Sequence, residues 1–380
     1  MKLEERGLIF DATKQPANQR VNAFTGLCRL RSGTILAGFQ CGTTKHAVDS
    51  KSRVCRSTDG GRTWRDLGQL PSSTLNGVPG SLASADMVEI EPGKVLLFTT
   101  WFDRHDPEKP LFDPVTEGIL HQKQVWCESR DEGATWGPWQ VIEIPKLTGL
   151  ATTGVPLIWS DGTLAHAFES YKDYDDLTPG RHGAWLAISR DGGRTFPEIH
   201  QVAQHPEHKI FYWDQRLCAG RKPGEYYAMF WTHDISNKQD LDVHFCKGSI
   251  NNKEHPYKTI SDTHIPGQIS APWLLPDGRL LSFIVDRHHP GTMKLWVSHD
   301  DGKTWPASES LTVHNHEERA KLTQASLKDV DFKQYWDDMG KWTYGHPTIC
   351  QLDADHVLVA HYAGDPGCLS IHWERINIAK

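Results

Sequence analysis

The stretch Ser57-Thr58-Asp59-Gly60-Gly61-Arg62-Thr63-Trp64 decides how the rest of the chain is read. It returns as Ser129-Arg130-Asp131-Glu132-Gly133-Ala134-Thr135-Trp136, as Ser189-Arg190-Asp191-Gly192-Gly193-Arg194-Thr195-Phe196 and as Ser298-His299-Asp300-Asp301-Gly302-Lys303-Thr304-Trp305. Ser and Asp side chains bond nearby backbone groups and glycine supplies a positive φ, so each copy reads as a tight turn whose closing aromatic packs on the next strand. A single Asp-Gly turn is commonplace. Four copies with Ser, Asp, Gly, Thr and an aromatic in fixed register mark an internal repeat.

Outward from each copy the same order of elements returns. Before the first, residues 24–30 read as a short apolar strand, 31–33 as a turn, 34–39 as a second strand, 40–52 as a polar loop and 53–56 as a third strand; a fourth begins at Trp64. The order recurs through 86–90, 95–100 and 125–128, and through 155–159, 163–168 and 184–188. It recurs again through 212–219, 226–231 and 243–246, where the turn has decayed to Lys247-Gly248-Ser249. A fifth unit runs from Ile269 through 280–285, and a sixth from Tyr344 to 368–376, with residues 7–10 available as its missing strand. Period and meander predict an all-β fold: a six-bladed β-propeller of four-stranded antiparallel blades, at roughly sixty residues per blade, closed by the N-terminal strand. The whole of 1–380 is then one domain, with an insertion over 314–342 whose 317–322 run reads as a short helix.

Composition agrees, since 32 Gly, 22 Pro and 15 Trp in 380 residues describe a turn-rich, aromatic-rich chain. A net charge of -7 gives no general attraction for nucleic acid or an anionic membrane, so neither is expected as a partner. An acidic substrate would need local arginines. The chain starts without an apolar h-region and holds no run of about eighteen apolar residues, so as given it reads as soluble and cytoplasmic. Its eight cysteines form no CxxC pair, which argues against a zinc ribbon and for reduced thiols in strands.

In a four-stranded meander alternate turns fall on opposite faces. The repeated turn shares a face with the first turn, and its spacing is explained by turn geometry, so it reads as structural. The other face gathers long polar loops and the starts of the innermost strands. It holds Lys45, His46, Asp49, Asp86, Arg104, His105, His121, Arg181, His182, Asp214, Arg216, His233, Arg287, His288, His289, Tyr344 and His346. A funnel lined with Arg, His, Asp and Tyr is the expected pocket. Each single member reads more blandly as a solvated loop residue; the enrichment on one face is the argument.

The four turns and their place between third and fourth strands resemble the Asp-box, or bacterial neuraminidase repeat, of the sialidase superfamily. The resemblance covers the whole chain as architecture and implies a glycan-cleaving propeller. Its reacting groups differ. A sialidase holds the sialic carboxylate with three arginines, because bidentate charge-assisted bonds fix that group. Here the first falls on Ala23, with Arg20 out of register, and the second falls near His233; only Arg287 is a plausible third. The family's Glu position matches Asp214, its nucleophilic Tyr position matches His346, with Tyr344 two residues earlier on the same face, and its acid-base loop offers Asp49 and His46. The resemblance therefore implies a non-sialic substrate.

Three readings remain open. In a sialidase-like glycoside hydrolase, acidic sugars being among its candidate substrates, Asp49 or Asp214 is the general acid and the other the base or nucleophile. In a polysaccharide lyase, His46 or His346 is the base, Tyr344 the acid, and Arg104 or Arg287 neutralises a uronate before β-elimination. In a non-catalytic propeller the same face binds glycan without cleaving it. Arg104, His105, Arg181, Arg216, His233, Arg287 and His288 are the candidate substrate-binding residues. No cofactor is expected; a divalent metal on His105, His121, His182, His288 and His346 is the weaker alternative, since no HxH or HExxH spacing is present. The expected partner is an oligosaccharide or polysaccharide.

Overall fold

The computed structural model describes residues 1–70, 72–252, 259–288, 291–315 and 339–379. Val, Ile, Phe, Tyr and Trp alternate between Gly, Pro and Asp turns, a pattern that suits pleated, half-buried surfaces. Among the described residues the strands form five sheets built from antiparallel meanders. The largest has eight strands and divides at one parallel bridge, Val21 to Leu369, into two four-stranded meanders. One comprises Val21–Arg29, Ile35–Gly42, Lys51–Ser57 and Arg65–Gln69. The other comprises Tyr344–Gln351, His356–Asp365 and Cys368–Asn377, with the N-terminal strand Lys2–Phe10 paired antiparallel to Cys368–Asn377. The other four sheets hold one meander each, with Lys94–Asp103, Leu164–Ser170, Glu225–Asp234 and Leu280–Asp286 as long second strands. The innermost strand expected at 155–159 is only Leu157–Ile158, since Pro156 has no N–H to offer a ladder.

The repeated turns share one hydrogen-bond pattern. The Ser57 hydroxyl accepts from Gly61 N–H at 2.9 Å and donates to Asp59, which accepts from Thr63 N–H and from the Thr63 hydroxyl at 2.6 Å. The same bonds recur at Ser129/Asp131/Thr135, Ser189/Asp191/Thr195 and Ser298/Asp300/Thr304. The second turn glycine has a second duty. At Gly61 and Gly133, with φ of 90° and 84°, an added Cβ would come within 2.9 Å of Leu358 on the last meander and of Leu36 on the first. Each turn thus docks one meander onto a neighbour, and hydrophobic clusters fill the spaces between, such as Leu36, Val54, Met87 and Leu97.

Among the described residues, segments of different meanders line a channel of about 550 Å³; they include Leu27, Met87, Leu157, Leu217, Pro272 and Ile349. All eight cysteines are free thiols, seven of them buried. Among the described residues no helix is long and apolar enough to cross a membrane. The helix expected at 317–322 and His289 lie outside the described residues.

Candidate active site

A second cavity, of about 160 Å³, takes its walls from the starts of innermost strands, the ends of second strands and the loops beyond them. That is the end of the meanders away from the repeated turns. Phe24, Phe102, Phe112, Trp213, Trp231 and Met339 supply apolar walls, and Glu169, Asp214, His46, His182 and His346 bring ionisable groups.

Three innermost strands aim their residues inward by the same device. The ladders slip by one residue between Ala23 and Gly26, between Trp213 and Arg216, and between Gly345 and Thr348. Within each slip one non-glycine residue has a positive φ: Phe24 at 58°, Asp214 at 48° and His346 at 55°. A bulge of this kind re-aims a side chain, and left-handed backbone at non-glycine residues is strain typical of functional sites. All three residues line the cavity.

Asp214 is at the centre of the polar network. Its backbone N–H donates to Glu169 Oε1 at 2.7 Å, and its carboxyl accepts from Arg216 Nη2 at 2.7 Å. Glu169 also pairs with His182 at 2.6 Å. Arg216 Nη2 lies 2.6 Å from His346 Nε2, whose other nitrogen lies 3.2 Å from the Thr25 carbonyl. Those partners assign the proton to Nδ1: Nδ1–H donates to Thr25, and Nε2 accepts from Arg216. Burial, then the Arg216 charge, holds the His346 imidazole well below its ordinary pKa, so it is neutral. Burial is the largest influence on Asp214 and pushes its carboxyl up; Arg216 pulls it down and Glu169 pushes it up again. Beneath it, on the channel side, burial raises Asp86 to about 6 against the pull of Arg216. Gly154, at φ 83°, leaves room for this arginine: a Cβ there would lie 2.7 Å from Arg216 Nη1.

The expected residues divide between the cavity and its support. Asp214, His46 and His346 line it. Asp49 does not: it is exposed and turned back onto its own loop, accepting from Thr43 N–H at 3.1 Å and from the Thr43 hydroxyl. The cavity therefore brings Asp214 together with Glu169 and not with Asp49. Tyr344 is not on the face of His346, because the bulge at Gly345 breaks the alternation; its hydroxyl donates to the Asp286 carbonyl at 3.0 Å. His46 packs against Phe24, its Nε2 lies 3.1 Å from Met339 Sδ, and burial, with Lys45 and Arg104 nearby, lowers it to about 3.

Most of the expected substrate-binding residues are taken up by protein partners. Arg104 donates to the carbonyls of His46 and Lys109 and to Ser81 Oγ. Arg287 lies 4.1 Å over the Trp342 ring. His233 stacks on Trp213 and pairs with Asp240 at 3.0 Å. His288 pairs with Asp286 and Asp240, which outweigh burial and raise it to about 9. His105 is exposed and bonded to Asp103, and Arg181 is exposed. The five histidines considered for a metal do not converge: His182 and His346 line the cavity, while His105, His121 and His288 do not. Among the described residues, the metal-type donors that do approach one another are Asp242, Asp262 and His264, none of them in the cavity wall. Glu169 was not visible as a candidate in the sequence. Its signal is positional, because second strands end on an acid at Asp103, Asp234, Asp286 and Asp365, and Glu169 precedes the last residue of its own.

No protein-family model matches the chain, and no curated protein matches it in sequence. Solved structures do resemble it in fold. A protein of unknown function from Dyadobacter fermentans superposes with a TM-score of 0.70 at 17% identity, covering 100% of this chain and 99% of that one. A Hadza microbial sialidase gives 0.68 at 16%, covering 98% and 68%. An alpha-L-arabinanase of Penicillium chrysogenum, complexed with arabinobiose, gives 0.63 at 13%, covering 100% and 99%. The fold is therefore the sialidase-like β-propeller fold.

Proposed function

We propose that the chain is a single-domain, six-bladed propeller over 1–380, closed by Lys2–Phe10, which hydrolyses a glycosidic bond of a non-sialic sugar in the aromatic-walled cavity. The observation that carries this reading is the meeting of two carboxyl groups there, Asp214 and Glu169, with Asp214 pushed toward its protonated form by burial. Glycoside hydrolysis needs one carboxyl group to protonate the leaving oxygen and a second to act as nucleophile or to activate water. Asp214 is the general acid. Once it has given up its proton, Arg216 at 2.7 Å stabilises the carboxylate. His346, held neutral, positions Arg216 rather than acting as a base, because its acceptor nitrogen already faces that guanidinium. Glu169 is the second carboxylate, oriented by His182. The likeness to a sialidase and an arabinanase supports a carbohydrate substrate.

Of the groups a β-elimination would use, the Tyr344 hydroxyl and the His346 acceptor nitrogen have protein partners, while His46 lines the cavity. The test is release of reducing ends from a panel of glycans by the wild type, Asp214→Asn and Glu169→Gln. Loss of a general acid lowers kcat by roughly 10²–10⁴-fold. Unchanged rates in Asp214→Asn would sink the assignment. Unsaturated uronate products would instead establish the lyase, and glycan binding without new ends the non-catalytic propeller.

A further inference from the structure

Resting on the hydrolytic reading, we infer that the cavity takes one neutral sugar ring from a chain end and discriminates against uronic and sialic acids. Its volume of about 160 Å³ is well below the roughly 300 Å³ at which drug-sized sites begin, which leaves room for a single ring. Phe24, Phe102, Phe112, Trp213 and Trp231 line it, and flat apolar walls suit the C–H faces of a sugar. Among the described residues that line it, Glu169 is the carboxylate beside the protonated Asp214, and it receives hydroxyl donors well and repels a substrate carboxylate.

A substrate carboxylate would need a cation of its own, and the buried cations nearby are already engaged. Arg216 faces Asp214 and His346. Arg104 serves two carbonyls and Ser81. Lys45 donates to the carbonyls of Met339 and Trp342 and to the Tyr362 hydroxyl. Arg287 lies on the Trp342 ring. None of the four is among the described residues that line the cavity. Glu169 and the aromatic walls thus fix the substrate's charge and size, in addition to the part Glu169 shares with Asp214 in the chemistry.

The experiment uses Asp214→Asn for binding, because Asn tolerates the left-handed backbone at this position and the variant should hold sugar without cleaving it. Its tryptophan fluorescence is titrated with methyl glycosides of a neutral pentose and a neutral hexose, and with methyl glucuronide and methyl sialoside. In parallel, the wild type is given neutral oligosaccharides and the first products are sized. The expected result is neutral sugars bound about ten-fold or more tighter than the acidic ones, with monosaccharide released first. Equal or tighter binding of the uronide or sialoside, or mixed-length first products, overturns the inference and leaves hydrolysis standing. Neutral-selective binding with no cleavage by the wild type overturns hydrolysis and leaves the selectivity. Absence of both binding and cleavage overturns both.

Discussion

At the scale of single residues, the charge on Glu169 and the burial of Asp214 act in the same direction, and this has a measurable sign. A general acid works while protonated, so activity falls as pH rises through the Asp214 pKa. Glu169 raises that pKa and Arg216 lowers it. Glu169→Gln should therefore move the alkaline limb of the kcat/KM profile to lower pH, whatever it does to the maximal rate. A limb that stays put or moves up would mean another group titrates. Glu374 gives a second residue-scale prediction, for stability. Burial raises it to about 8, with His372 and Arg6 opposing. Between its ordinary value near 4.5 and about 8 the folded chain holds a proton that the unfolded chain has lost, so stability falls as pH rises across that window. Glu374→Gln removes this dependence and should stabilise the protein at pH 9, relative to pH 4, by an amount up to about 5 kcal/mol. Denaturant unfolding of both proteins at the two pH values checks it. Residues of this kind were only partly legible in sequence. Asp214 stood out because it starts an innermost strand, but Asp49 looked equally well placed, and only the bonds to Thr43 show it turned away. Burial separates such carboxylates, and a polar loop carries no record of it.

Among the elements, the repeated turn was readable because its chemistry is local: Ser, Asp, Gly and Thr within eight residues make all its bonds. It predicts its own mutational effect. Hydrogen bonds to the turn lower the Asp59 carboxyl to about 2 despite some burial, so the stabilisation is complete above about pH 4 and lost as pH falls toward 2. Asp59→Ala should cost about 1–2 kcal/mol at neutral pH, read from chemical denaturation, and leave turnover unchanged because the turn is remote from the cavity. Any large loss of kcat would contradict the structural role. The bulges were not readable. A one-residue slip leaves the apolar alternation almost intact while turning Tyr344 and His346 onto different partners, so strand parity alone put them on one face. Gly154 belongs to the same class of hidden constraint. Gly154→Ala should displace Arg216, and so lower kcat far more than KM; an unchanged kcat would show that the close approach is relieved without cost.

For the molecule as a whole, the order of the meanders follows from the spacing of the repeats, whereas the cavity joins residues from Phe24 to His346 and has no signature along the chain. Sequence could say which face to search and which turns to ignore. It could not say that Glu169 meets Asp214 across two meanders. The N-terminal strand tests the architecture at this scale. Lys2–Phe10 pairs with Cys368–Asn377 over seven residue positions, so removing residues 1–10 would leave Cys368–Asn377 as an unpaired edge. It would also remove Ile9 and Phe10 from the apolar cluster they share with Trp373, Ile371 and Leu358, and so uncover Trp373. At roughly 0.5–1.5 kcal/mol per backbone hydrogen bond, with the apolar contacts in addition, the loss approaches the whole stability of an ordinary domain. If the strand closes a single cooperative ring, the truncated chain should melt well below the full chain, in one transition that lowers every meander together. A synthetic peptide of residues 1–10 supplied in trans should recover part of the difference. A truncated protein that melts within a degree or two of the full chain, or that loses only its last meander in a separate early transition, would show that the sheets are held together without this strand.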